Sequence, residues 1–218
     1  MLDYHALAIT DLNSLNGVVR AHTAAKETGL KLIIGAEITP EDAPPVVLWA
    51  TDRAAYGRLT RLITVGRRRA PKGECCLYLA DIAAHANGLM AGVIPTRTPR
   101  TTVASLPTEP LDRPKVSQSH GRPSVGAFGG VGRPSPSSPR VQLSTDDPLH
   151  QYHDIFSRRA FLLLELLRGP QDDAYLAHLR QQSRQSRLPL LAAGDVHYHI
   201  PERMLLHDVL TEIGRAHV

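Results

Sequence analysis

Cysteine is almost absent: the 218 residues contain two, Cys75 and Cys76, and they are adjacent. Neighbouring cysteines are unsuited to stapling distant segments and lack the paired C-x-x-C spacing of a zinc site, so structural disulfides are not part of this design. Long apolar runs are also missing. No stretch approaches the length of a membrane span, and the opening "MLDYHALAIT" lacks the charged region, apolar region and cleavage site of a secretory signal. The expected location is cytoplasmic, with no membrane partner. Two phosphate and nucleophile signatures are lacking as well. "GAFGGVG" has no Lys-Ser/Thr ending and does not join a strand to a helix, and no G-x-S-x-G elbow occurs.

What is present is 42% hydrophobic content, enough for one sizeable core, and a net charge of +4. That charge would suit a partner carrying phosphates. The densest basic run, Gly66 to Ala70 ("GRRRA"), reads first as a solvated helix end, where cations are favourable.

Short apolar runs alternate with amphipathic helical patterns. A strand is expected from His5 to Thr10, followed by a helix with Ser14 as N-cap and Leu15, Val18, Val19, His22 and Ala25 on one face. "LKLIIGAEI" and "PVVLWA" read as strands, and a helix capped by Thr51 or Asp52 carries Leu59, Leu62 and Ile63. "LADIAAHANG" reads as a short helix, "LMAGVIP" and "RAFLLLELL" as strands, and a polar helix from about Asp172 to Ser186 leads into "LPLLAAGD". Such alternation predicts an α/β protein with a parallel sheet, open or closed into a barrel. Between residues 96 and 148 the pattern stops. That stretch is rich in Pro, Ser, Gly and Arg, and its composition predicts a disordered insertion between residues 1–95 and 149–212.

In parallel α/β folds, chemistry gathers at the carboxyl ends of strands. Asp11 follows "LAIT", Glu37 follows "LIIGA" and Asp195 follows "LLAAG". If these strands are neighbours, their carboxylates share one crevice. In an extended segment Asp195, His197 and His199 would lie on one side. Carboxylate and imidazole donors together suit Zn²⁺, Mn²⁺ or Fe²⁺, ions that serve phosphate-ester hydrolysis. His22, His85, His150, His153 and His207 lack acidic companions at ligand spacing or fall within helical patterns, and they stay outside the expected site.

"ALAITDLNSLNGVVRAHTAAKETGLKLIIGAEI" and "FLLLELLRGPQDDAYLAHLRQQSRQSRLPLLAAGDVHYHIPERMLLHDVLT" together resemble the PHP (polymerase and histidinol phosphatase) domain of bacterial C-family DNA polymerase III alpha subunits, most closely the error-prone type. The resemblance covers residues 5–94 and 150–211. It implies a distorted (β/α)7 barrel, here incomplete at its N-terminus, with metals at the carboxyl ends of the strands. Asp11, Glu37, Asp195 and His197 fall on the family's metal motifs, with His199 as a supporting residue. Two departures stand out: the H-x-H of the first motif is absent, and Leu12 occupies the place of a ligating histidine in T-D-H.

The resemblance implies a PHP-domain fragment of a DNA-directed DNA polymerase, with Mg²⁺ in a palm that is not in this chain, and with primed DNA and replication or mutagenesis proteins as partners. A fragment without the palm is expected to be inactive alone, and no catalytic residue is singled out. The alternative is a standalone PHP-type metal-dependent phosphoesterase using the same residues. A third reading is a degenerate fragment that folds poorly. Residues 213–218, "IGRAHV", back-translate to a common sequencing adapter and are expected to be of non-biological origin.

Overall fold

Strands and helices alternate as the hydrophobic pattern predicts, with one reversal. The structure is a computed structural model describing residues 4–95, 147–166, 169–198 and 200–215. The strands are β1 (Ala6–Leu12), β2 (Lys31–Ile38), β3 (Val46–Ala50), β4 (Leu89–Val93), β5 (Ala160–Leu164) and β6 (Leu190–Ala192). The helices are α1 (Val18–Thr28), α2 (Arg53–Arg69), α3 (Leu79–His85), α4 (Pro148–Phe156), α5 (Asp172–Ser186) and α6 (Met204–Arg215). His199 lies outside the described residues, as does the expected insertion up to position 146. The last two positions of that expected insertion belong instead to α4. Asp147 accepts from the Leu149 N–H at 3.2 Å, and Pro148 opens the helix where its missing N–H costs nothing.

The six strands form one sheet in chain order. β1 pairs parallel with β2, β4 with β5 and β5 with β6, while β3 is antiparallel to both neighbours. The expected all-parallel sheet is therefore mixed, because the segment between β2 and β3 carries no helix and is too short for a crossover. Five strands still point the same way, so the carboxyl ends of β1, β2, β5 and β6 share one rim.

Register explains the core. One row across the sheet runs Ile38, Val46, Val93, Leu162 and Leu190. On that face Leu59, Leu62 and Ile82 from α2 and α3, Tyr152 and Phe156 from α4, and Leu179 from α5 complete a solvent-free cluster. Each such side chain contributes roughly 1.5–3 kcal/mol by leaving water. The Tyr152 hydroxyl donates to the Pro44 carbonyl at 2.7 Å, which satisfies the one polar atom that ring brings inside.

Of the two expected helix caps, one is found and one is not. Asp52 caps α2 by accepting from Ala55 N–H at 2.7 Å, and Thr51 instead donates to the Gly88 carbonyl. Ser14 does not cap α1, whose N-cap is Gly17; its hydroxyl accepts from Asn16 N–H. Of the apolar face expected on α1, Val18 is buried, whereas Val19 and His22 face solvent.

Candidate metal centre

Alternation along β2 sends Ala36 and Ile38 to the helix-covered face and Glu37 to the other. Glu37 is flanked in register by Leu12 of β1 and Val47 of β3, so neither neighbouring strand supplies a counter-charge at its level. Burial pushes its carboxyl above the ordinary glutamate range, and the charges of Asp195 and Glu165 push it further, against a smaller opposing effect of His197.

That electrostatic set also reveals the curvature of the sheet. β2 and β6 are four strand positions apart, which in a flat sheet is about 19 Å. Asp195, just past β6, nevertheless acts on Glu37, so the sheet curls and brings its rim together. This is the partial barrel implied by the family resemblance, with six strands among the described residues.

Asp195 and His197 are in contact, the carboxylate oxygen Oδ2 lying 3.2 Å from the imidazole Nε2. The expected reason for their meeting, simple alternation in a strand, does not hold. β6 ends at Ala192, and Asp195 adopts a left-handed backbone with φ of 40°, a conformation that aspartate tolerates better than most residues. A bend after Gly194, and not a pleat, turns the two side chains toward each other.

Asp11 stands apart from this group. Its register partner is Ala36, which puts it on the helix-covered face of the sheet, while Leu12 takes the place beside Glu37. There the Asp11 carboxylate accepts from the Gly17 N–H at 2.6 Å and anchors the start of α1. Only glycine permits this approach: a Cβ at position 17 would stand 2.8 Å from that carboxylate and 2.7 Å from Ile9. The structure thus brings Asp195 and His197 into contact, leaves Glu37 within electrostatic range of them, and gives Asp11 a different neighbour.

Two residues near the centre were not expected. Glu165 follows β5 at the same rim, and the strand-end rule that selected Glu37 and Asp195 would have found it in "AFLLLE". His207 of α6 places its ring 4.9 Å from that of His197 and its Nδ1 3.5 Å from Asp208. No local sequence signal marks that contact, since it depends on how α6 returns to the rim. Among the described residues, no three of His, Cys, Asp or Glu converge closely enough to enclose an ion. The donor set is a contacting Asp–His pair with two further carboxylates within electrostatic range.

The basic run on α2 is structural. Arg67 donates to the carbonyls of Gly73 at 2.7 Å and Asn13 at 3.0 Å, tying α2 to the link between β1 and α1. Arg69 makes a two-pronged bond to Asp81 at 2.6 and 3.0 Å and lies over the Tyr78 ring. Arg68 alone in the run faces solvent without a partner among the described residues. No helix among the described residues is long and apolar enough to cross a membrane.

Comparison with known proteins adds to this geometry. Residues 1–104 match the PHP domain family. The chain is 40% identical over 215 residues to the error-prone DNA polymerase of Rhodopirellula baltica, a match covering 99% of this chain and 16% of that protein. It is 38% identical to the error-prone DNA polymerase of Pseudomonas fluorescens and 36% identical to that of Pseudomonas paraeruginosa, in each case over 97% of this chain and 16% of the relative. The chain therefore spans about one sixth of the length of the curated relatives it matches.

Proposed function

We propose, since residues 1–104 belong to the PHP domain family, that this chain is the PHP portion of an error-prone C-family DNA polymerase III alpha subunit. The observation that carries this reading is the pairing of near-complete coverage of this chain with coverage of only 16% of the relatives. The parent enzyme would extend a primer by phosphoryl transfer, with Mg²⁺ held by palm carboxylates elsewhere in its length. Its partners would be primed DNA and replication or mutagenesis proteins, in the cytoplasm. The portion described here would act as a platform and would not polymerise alone.

Within that platform, the contacting pair Asp195 and His197 would supply the donors for one divalent ion, with the carboxylates of Glu37 and Glu165 within electrostatic range. Mixed oxygen and nitrogen donors fit Zn²⁺, Mn²⁺ or Fe²⁺. Burial first, and then the charges of Asp195 and Glu165, raise the Glu37 carboxyl, and a nearby cation would offset both. Such an ion supplies charge neutralisation for a phosphate ester and a more acidic bound water. Leu12, level with Glu37, offers no donor, so any phosphoesterase activity would be weak.

Long-read sequencing of the locus on both sides of this frame tests the reading. A frame continuing into a palm with paired aspartates supports it. A stop codon soon after Leu210 overturns it and leaves a standalone phosphoesterase as the function to assay.

A further inference from the structure

We propose that the outer face of α5 is a docking surface for the phosphodiester backbone of duplex DNA. The surface itself rests on charge and shape; the choice of DNA among polyphosphates rests on the polymerase reading above.

Four arginines of this fold are held by hydrogen bonds. Arg58 donates to the Asn87 carbonyl, Arg67 and Arg69 are held as described, and Arg159 donates to the carbonyls of Ala86 and Leu89. Arg180, Arg184 and Arg187 are different. All three are exposed, and among the described residues none makes an ion pair or a side-chain hydrogen bond. The acids of α5, Asp172 and Asp173, are confined to its first turn, so no carboxylate of the helix balances the cations at the other end.

Helical geometry lines up the first two. Arg180 and Arg184 are separated by about 6 Å along the axis and about 40° around it, and Arg187 follows at the C-cap, in a left-handed turn just past the last residue of the helix. Ala177 is small enough to leave a shallow hollow of about 560 Å³, bordered by Arg180, Gln181, Arg184 and Gln185. Guanidinium forks match phosphate oxygens in pairs, and the two glutamine amides add neutral donors alongside.

The same face argues against other partners. Its one large apolar side chain is the half-buried Leu176, one turn before Arg180, beside the small Ala177, and it has no aromatic ring, so it offers too little for a lipid anchor or a protein hot spot. With no ring on which a base could stack, it reads the backbone and not the sequence. α2 provides an internal contrast. Arg53, Arg61 and Arg68 also face solvent, but Arg53 and Arg61 alone are about 12 Å apart along the axis.

Fluorescence anisotropy of the full 218-residue chain with a labelled DNA duplex, across about 50–200 mM salt, tests this. Arg180→Gln, Arg184→Gln and Arg187→Gln together should make log affinity versus log salt shallower by about 2 to 3, because each lost phosphate contact removes about 0.9. Arg53→Gln, Arg61→Gln and Arg68→Gln change net charge equally and should leave the slope unchanged. The single variant Arg184→Gln, expected to remove about one unit of slope, serves if the triple variant does not fold. Equal losses from both sets, or no binding by the unsubstituted chain, overturn the proposal. If the locus continues into a palm while the α5 variants bind DNA unchanged, this inference fails and the polymerase reading stands.

Discussion

Across the middle of the sheet, Ile38, Val46, Val93 and Leu162 are sealed from solvent, whereas at its two edges Leu7 of β1 is 50% exposed and Leu191 of β6 is 37% exposed. The helices follow the same division. α2, α3 and α4 seal Leu59, Leu62, Ile82, Tyr152 and Phe156 from solvent, while α1 leaves Val19 75% exposed and α6 leaves Leu205 74% exposed. The comparison separates where the fold is held from where the proposed metal centre lies. Stability is concentrated in β2 to β5, and the Asp195–His197 pair comes from the loosely packed rim beyond β6. Sites of this kind are commonly drawn from the less stable part of a fold.

The sharpest way to test that division is to cut equal side chains from both regions. Leu162→Ala should cost about 2–5 kcal/mol, because it opens a cavity under α4 and α5. Leu191→Ala, at the edge, should cost less than about 1 kcal/mol, since much of that side chain already meets water. Urea denaturation measures both, and equal losses would erase the distinction between centre and edge.

Much of the centre was legible in the sequence because its periodicities are strong and its stop signals local. α5 runs from Asp172 to Ser186 as expected, opened by paired aspartates and closed before Pro189. The reversal of β3 was legible too, in the short Pro-containing link of residues 39–45, but strand and helix alternation outweighed it in the reading. Asp11 was not legible. A one-residue change of register moves a side chain to the opposite face, and nothing in "AITDL" fixes whether Asp11 or Leu12 stands beside Glu37. The Asp195–His197 contact was anticipated for a reason that the backbone does not bear out.

Glycine substitutions sharpen the same comparison at smaller cost. A Cβ at position 92 would stand 2.5 Å from the Trp49 ring, so Gly92→Ala should destabilise by about 1–3 kcal/mol through overpacking. Gly57, on the exposed side of α2, has nothing within 4 Å. Gly57→Ala should therefore stabilise by about 0.5–1 kcal/mol, the gain expected for a glycine inside a helix. Thermal denaturation of the two variants should shift in opposite directions, and a shared sign would mean that the space around one of them is misjudged.

The rim itself can be divided by its two aspartates. Asp195→Asn combined with His197→Ala should reduce bound Mn²⁺ or Zn²⁺, read by elemental analysis after dialysis against the metal. Asp11→Asn should leave metal content unchanged and lower stability by about 1 kcal/mol, because the amide is a poorer acceptor for the Gly17 N–H. Loss of metal in the Asp11 variant alone would show that its carboxylate reaches the centre in solution.

The smallest effect expected is a pH dependence outside the rim. Hydrogen bonds from Arg69 hold the Asp81 carboxyl below the ordinary aspartate range; burial opposes this, and the Tyr78 N–H adds to it. A carboxyl with a lowered folded pKa binds fewer protons folded than unfolded. Its contribution is therefore fully present above the ordinary aspartate pKa and is lost as pH falls through that value toward the lowered one. Stability profiles of the unsubstituted chain and Asp81→Asn should run parallel above that window and converge within it. Because the pair is partly exposed, the gap should be small and should shrink further with salt. A gap that stayed constant down to the lowest pH would mean that Asp81 acts by shape alone, as the acceptor that orients Arg69 and Tyr78 N–H at the start of α3.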